Sequence, residues 1–156
     1  MQQAETALHV KIEQMLTESR VILPGAQALL GFQLIAMMTK EFDELPPTIR
    51  IVHLVALLSL TLAIILLIAP AAIHRVSLGG RDDPRLQSIG SVLITMALLP
   101  LAGAISCDVL TALTRLFGET AASWSGALAV LFFLLCLWYI FPLLIKRTLR
   151  RAACRE

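Results

Sequence analysis

Four stretches without a formal charge, each about as long as the hydrocarbon core of a bilayer is thick, constrain this chain more than any motif in it. They cover 21–39, 51–73 (with one histidine), 86–107 and 121–145, or 19, 23, 22 and 25 residues. Wound as α-helix at about 1.5 Å per residue, they reach about 28 to 38 Å, against a core of about 30 Å. The chain is 58% hydrophobic with a mean hydropathy of +0.82, and the excess over a soluble domain lies in these four runs.

The expected fold is therefore an all-α membrane protein, a four-transmembrane-helix bundle. It has an amphipathic helix before the first span and a short outer helix after the third. Residues 1–20 form the cytoplasmic N-terminal helix, 21–145 the transmembrane domain and 146–156 a basic cytoplasmic tail. No separate extramembrane domain fits into the remainder.

Four spans put both termini on one side and divide the charges between two faces. Ten of the 13 basic residues, from Lys11 and Arg20 through Arg75, Arg81 and Arg85 to the tail, fall on the terminal side, and Lys40, Arg50 and Arg115 on the other. Acidic residues split almost evenly, so the bias lies in Lys and Arg, the quantity that orients spans, and both termini are expected in the cytoplasm. Residues 1–20 carry two basic and three acidic side chains, which does not suit a secretory signal peptide. Trp124 near one end of the last run, with Trp138 and Tyr139 toward the other, suits a spanning helix.

Leu8, Ile12, Met15 and Leu16 recur at helical spacing among Glu5, Lys11, Glu13 and Glu18, which predicts the amphipathic N-terminal helix. It either lies along the cytoplasmic interface, with a bend at Pro24-Gly25, or extends the first span outward. Pro70, Pro100 and Pro142 mark further kink points. Asp83 reads as an N-cap with Pro84 at the first helical position, and Gly79 as the residue ending the helix before it. After Cys107 the pattern turns amphipathic until Gly118, which predicts a short outer helix continuous with or bent from the third span.

Two stretches have a family look: Glu18-Ser-Arg20-Val-Ile-Leu-Pro24-Gly25-Ala-Gln27, followed by Phe32, and Leu66-Leu67-Ile-Ala69-Pro70-Ala-Ala-Ile-His74-Arg75. They resemble an uncharacterised family of small bacterial four-span membrane proteins, a domain of unknown function, and Cys107-Asp108-Val109 is similar to a Thr-Asp-Val segment late in that family's third span. The resemblance covers about residues 10–145. It implies a bacterial inner membrane and supplies no activity, substrate or catalytic residue.

Polar residues near the span ends are the candidates for function. Glu13, Arg20 and Gln27, spaced by seven, share a helix face. With Glu18, and with His74 and Arg75 at the end of the second span, Arg20 and Gln27 can form a polar cluster at the cytoplasmic mouth. Alternatively the arginines snorkel to headgroups and Gln27 makes one interhelical bond. His53 and Asp108 approach the outer interface from different helices as a candidate outer pair, either a pH-responsive latch or ordinary interfacial residues.

The third span is rich in small and polar residues (Ser88, Gly90, Ser91, Thr95, Gly103, Ala104, Ser106), which suits a central position or a homomeric contact. Pro100 leaves the Met96 carbonyl without its usual partner, a pointer to a polar path beside this span.

Several classes fall away. Cys107, Cys136 and Cys154 make no Cys-x-x-Cys pair, so a thiol oxidoreductase is excluded. His9, His53 and His74 form no metal motif, and no metal or cofactor is expected. No nucleophile elbow, zinc-protease helix or phosphate loop is present, and no enzyme activity is expected. The tail Lys146, Arg147, Arg150, Arg151 and Arg155 suits an anionic leaflet, each cation contributing about 1 kcal/mol. It lacks the aromatic platform that nucleic-acid binding needs.

The sequence thus favours a structural or accessory membrane protein acting through helix or lipid contacts, alone, as a homo-oligomer or with a membrane-protein partner. The alternative is an oligomeric small channel or transporter with a polar cytoplasmic mouth, selecting through Gln27, Gln33, Thr95 or backbone carbonyls.

Overall fold

The computed structural model describes residues 2–77 and 81–153. In chain order they form α1 (Gln2–Met37), the single turn α2 (Lys40–Asp43), α3 (Pro47–Val76), α4 (Pro84–Phe117), α5 (Ala121–Leu135), a π-helical turn (Cys136–Ile140) and α6 (Phe141–Ala153). No strand occurs among the described residues. Thr6–Met37, Pro47–Val76, Pro84–Phe117 and Ala121–Leu149 are each long and apolar enough to cross a bilayer. The molecule is a multi-pass, all-α membrane protein with four spans.

The helix ends follow from local chemistry. Asp83 Oδ1 accepts the Arg85 N–H at 2.7 Å, and Pro84, which has no N–H to leave orphaned, takes the first helical position. Pro47 opens α3 in the same way. Gly118 stops α4 at φ 78°, a backbone state that a Cβ disfavours, and the Thr120 side chain caps α5 through the Ser123 N–H. The expected glycine stop at Gly79 lies outside the described residues, as do Cys154 and Arg155 of the tail.

The structure decides two points that the sequence leaves open. The amphipathic N-terminal helix is not a separate element on the interface, because α1 runs unbroken through Pro24-Gly25. Its apolar stripe meets protein instead of headgroups: Ile12 and Met15 are buried in one cluster with Leu67, Leu86, Ile94 and Ala97, with Leu8, Leu16, Ile22 and Leu23 packed around it. The Met15 thioether fills the space over Gly90 that any side chain there would claim, with Pro70 beside it. The short outer helix, likewise, is simply the last three turns of α4.

Pro70 and Pro100 also sit inside uninterrupted helices. The departure from α-helix comes before Pro142, where the Phe141 N–H reaches back five residues to the Cys136 carbonyl. Pro142 cannot donate to Trp138, and the π turn takes up the mismatch.

α4 is the central helix, packed against α1, α3 and α5. Small residues let it be so. Ala97, Ala102 and Ala104 on α4 and Ala56 and Ala63 on α3 are wholly buried, and close backbone approach is what associates helices when lipid supplies no hydrophobic drive. α5 lies mainly on α4, where Gly126 sits under Leu113 and the Ser106 hydroxyl donates to the Ala127 carbonyl at 2.7 Å.

Candidate functional site

The face of α1 that packs inward runs through Ile12, Ser19, Ala26 and Gln33, all buried and spaced by seven, with Met15 beside them. Glu13, Arg20 and Gln27 stand one residue, or about 100°, further round and point outward. The expected polar cluster is therefore not assembled. Glu18, Arg20, Gln27 and Arg75 are exposed, and no hydrogen bond or ion pair joins them among the described residues. His74 turns to the α3–α4 turn instead, its Nε2 lying 3.8 Å from Asp82 Oδ1, while His9 Nδ1 donates to Asp82 Oδ2 at 2.7 Å. One aspartate thus bonds the N-terminal part of α1 in an open setting, the His9 side chain being 63% exposed, and lies near the end of α3, where His74 Nε2 is buried without a hydrogen-bond partner among the described residues. This is the hairpin end of the bundle.

At the opposite end, beside α2, three spans converge on a polar cluster. Gln33 of α1 donates through Nε2 to both carboxylate oxygens of Asp108 on α4, at 2.9 and 2.8 Å. His53 of α3 donates from Nε2 to the backbone carbonyl of Gln33 at 3.1 Å. A carbonyl only accepts, so this bond fixes the tautomer: in the neutral ring Nδ1 is an acceptor. His53 Nδ1 lies 4.0 Å from Asp108 Oδ1, which brings the expected His53 and Asp108 pair together without a direct hydrogen bond. The Phe42 ring meets the imidazole edge-on at a centroid distance of 5.2 Å.

Gln33 and His53 are each only 3% exposed. Gln33 Oε1 and His53 Nδ1 have no hydrogen-bond partner among the described residues, a costly state for buried polar atoms. Both residues, with Asp108, line an open cavity of about 330 Å³ whose other walls include Leu29, Phe32, Ala36, Ala112 and Arg115. A smaller cavity of about 190 Å³ adjoins it through Arg115 and is lined by Glu41, Glu44, Glu119 and Thr114, whose buried hydroxyl is also without a partner among the described residues.

A third hollow, about 400 Å³, runs between α4 and the π turn, lined by Thr95, Met96, Leu99, Leu135, Tyr139 and Ile140. The Tyr139 hydroxyl donates to the Thr95 carbonyl at 2.7 Å. Its walls are almost entirely apolar, so the groove beside Pro100 is not the polar path that the proline suggested. Among the described residues no group of three His, Cys, Asp or Glu side chains is placed to hold a metal ion.

Gln33 is the residue whose part in the cluster sequence reasoning missed. The signal that finds it is the seven-residue series Ile12, Ser19, Ala26, Gln33, once Ser19 and Ala26 are recognised as small contact residues. Compared with known proteins, the chain matches one family model, DUF6328, a family of unknown function, over residues 2–142. No curated protein and no solved structure matches it.

Proposed function

The chain belongs to DUF6328, and we propose that it is a non-enzymatic accessory protein of a bacterial inner membrane that works through helix contacts made by its fourth span. The observation that carries this reading is the state of that span. In the most apolar 18 residues of Ala121–Leu149 nothing is buried, against 28% of the corresponding stretch of α3 and 33% of that of α4.

Lipid can cover such a helix, but its composition favours another helix. Ala121, Ser125 and Ala129 repeat every fourth residue on the exposed side of α5, the small-residue pattern that admits a second backbone closely. The face toward α4 uses a separate set, Ser123, Gly126 and Ala127. The bias of ten basic residues to three supports cytoplasmic termini, with the tail against anionic lipid. The apolar, alanine-lined interior of α1, α3 and α4 favours an accessory role over conduction through a single copy.

Photo-crosslinking residues placed at 125, 129 and 58 in the intact membrane test this. The expected outcome is protein adducts of one discrete mass from 125 and 129, and lipid adducts alone from 58, since Leu58 lies on an open face of α3. A mass of twice the chain identifies a second copy, and any other discrete mass a different membrane protein. Lipid adducts alone at 125 and 129 contradict the proposal.

A further inference from the structure

The geometry points to a binding site, at the α2 end of the bundle, for a primary ammonium group carried on a small apolar body. Charge comes first. The two cavities that share Arg115 are lined by four carboxylates, Asp108, Glu41, Glu44 and Glu119, against that single guanidinium. Arg115 makes no ion pair among the described residues and so neutralises none of them directly. An anion entering here meets repulsion from four groups and a cation attraction, strongest at the part-buried Asp108 and weaker at Glu41, Glu44 and Glu119, which are exposed to water.

Hydrogen-bonding capacity narrows the ligand further. Apart from the Arg115 guanidinium, the lining is rich in acceptors and poor in free donors. Gln33 spends its amide N–H on Asp108, His53 its Nε2–H on the Gln33 carbonyl, and Thr111 its hydroxyl on the Cys107 carbonyl at 3.0 Å. Left over are Gln33 Oε1, His53 Nδ1 and the free lone pairs of Asp108. The Asp108 side chain is 26% exposed and is the part a ligand reaches, while Gln33 holds it by both oxygens and so presents it in one orientation. A cation with N–H donors answers the exposed Asp108 oxygens, with the buried lone pairs of Gln33 Oε1 and His53 Nδ1 adding negative potential behind them. A quaternary ammonium has no such hydrogen, and a metal ion lacks three suitably placed ligands among the described residues.

The body of the ligand is set by the rest of the larger cavity. At about 330 Å³ it falls at the small end of the range for ligand sites, about 300–1,000 Å³. Leu29, Phe32, Ala36 and Ala112 give it apolar walls. The chemistry is shared by a free hydrophobic amine and by the ethanolamine headgroup of a lipid whose chains lie along α1 and α4.

Calorimetric titration of the full chain in phosphatidylcholine nanodiscs with benzylammonium, benzyl alcohol and benzoate tests the site. Benzylammonium should bind saturably and at least about tenfold more tightly than the alcohol or the benzoate, a difference of about 1.4 kcal/mol. Asp108→Asn should weaken it at least about tenfold. Ala112→Leu fills the cavity without touching the carboxylate and should weaken it too, whereas Arg115→Gln should tighten it, so the site stays testable even if the Asp108 variant misfolds.

In nanodiscs containing phosphatidylethanolamine, a fall in apparent affinity identifies the headgroup as occupant, and an unchanged affinity the free amine. Equal binding of the alcohol, wild-type affinity in both Asp108→Asn and Ala112→Leu, or no saturable binding of benzylammonium by the wild type overturns the assignment.

Discussion

All three histidines of the chain stand within 4.0 Å of an aspartate, two at the hairpin end of the bundle and one at the α2 end, and the same pairing does different work at the two ends. At the hairpin end His9 meets Asp82 on an open turn, with the buried His74 Nε2 3.8 Å from the same carboxylate, and beneath them an apolar seat, Met15 over Gly90 among Ile12, Leu67 and Leu86, holds α1 to the α3–α4 hairpin. At the α2 end the pairing lies inside, Asp108 is gripped by the buried amide of Gln33, and the apolar cluster beside it is smaller, Leu45, Ile49, Leu110 and Ala127 with Phe42 and Val52 against them. Water competes for a polar contact on an exposed turn and not for one between packed helices, so the first end rests on packing and the second on hydrogen bonds.

The largest effect should come from breaking the packed end. Gly90→Val drives a branched side chain into the Met15 thioether and Pro70, and should cost about 1–3 kcal/mol in a detergent unfolding titration. It should also open the N-terminal half of α1 to protease. Stability equal to wild type would remove the packing half of the comparison.

Next in size is Asp108→Ala, which leaves the buried Gln33 amide without its acceptor. A loss of about 1–2 kcal/mol is expected by the same titration, with the protease pattern of α1 near the hairpin unchanged. Smallest is Asp82→Ala, which should cost below about 0.5 kcal/mol and still less at high salt, because its hydrogen-bonded partner His9 is 63% exposed. A cost above that of Asp108→Ala would invert the comparison.

The spans, the Asp83-Pro84 start, the Gly118 stop and the approach of His53 to Asp108 were all legible in the sequence. Each follows from a local rule: bilayer length, capping, a positive φ, or the depth of a residue from its helix end. The rotation of α1 was not. In water an apolar stripe reveals the buried face, but lipid is as apolar as a protein core, so Val21, Phe32 and Ile35 face outward at no cost while Ser19 and Gln33 go in.

The series Glu13, Arg20, Gln27 and the series Ile12, Ser19, Ala26, Gln33 differ by one residue, and only the partner helices choose between them. Pro24-Gly25 leaves two placements of the N-terminal helix open, and the packing of Ile12 and Met15 against α3 and α4 goes with the continuous one.

A double-mutant cycle tests most directly whether the α2 end is held by its buried polar cluster. Unfolding free energies of the wild type, Gln33→Leu, Asp108→Leu and the double variant give the coupling between the two side chains. The account predicts a favourable coupling of about 0.6 kcal/mol or more, within the range measured for interhelical hydrogen bonds in membranes. Additive losses would show that Gln33 and Asp108 do not hold α1 to α4, and would contradict it.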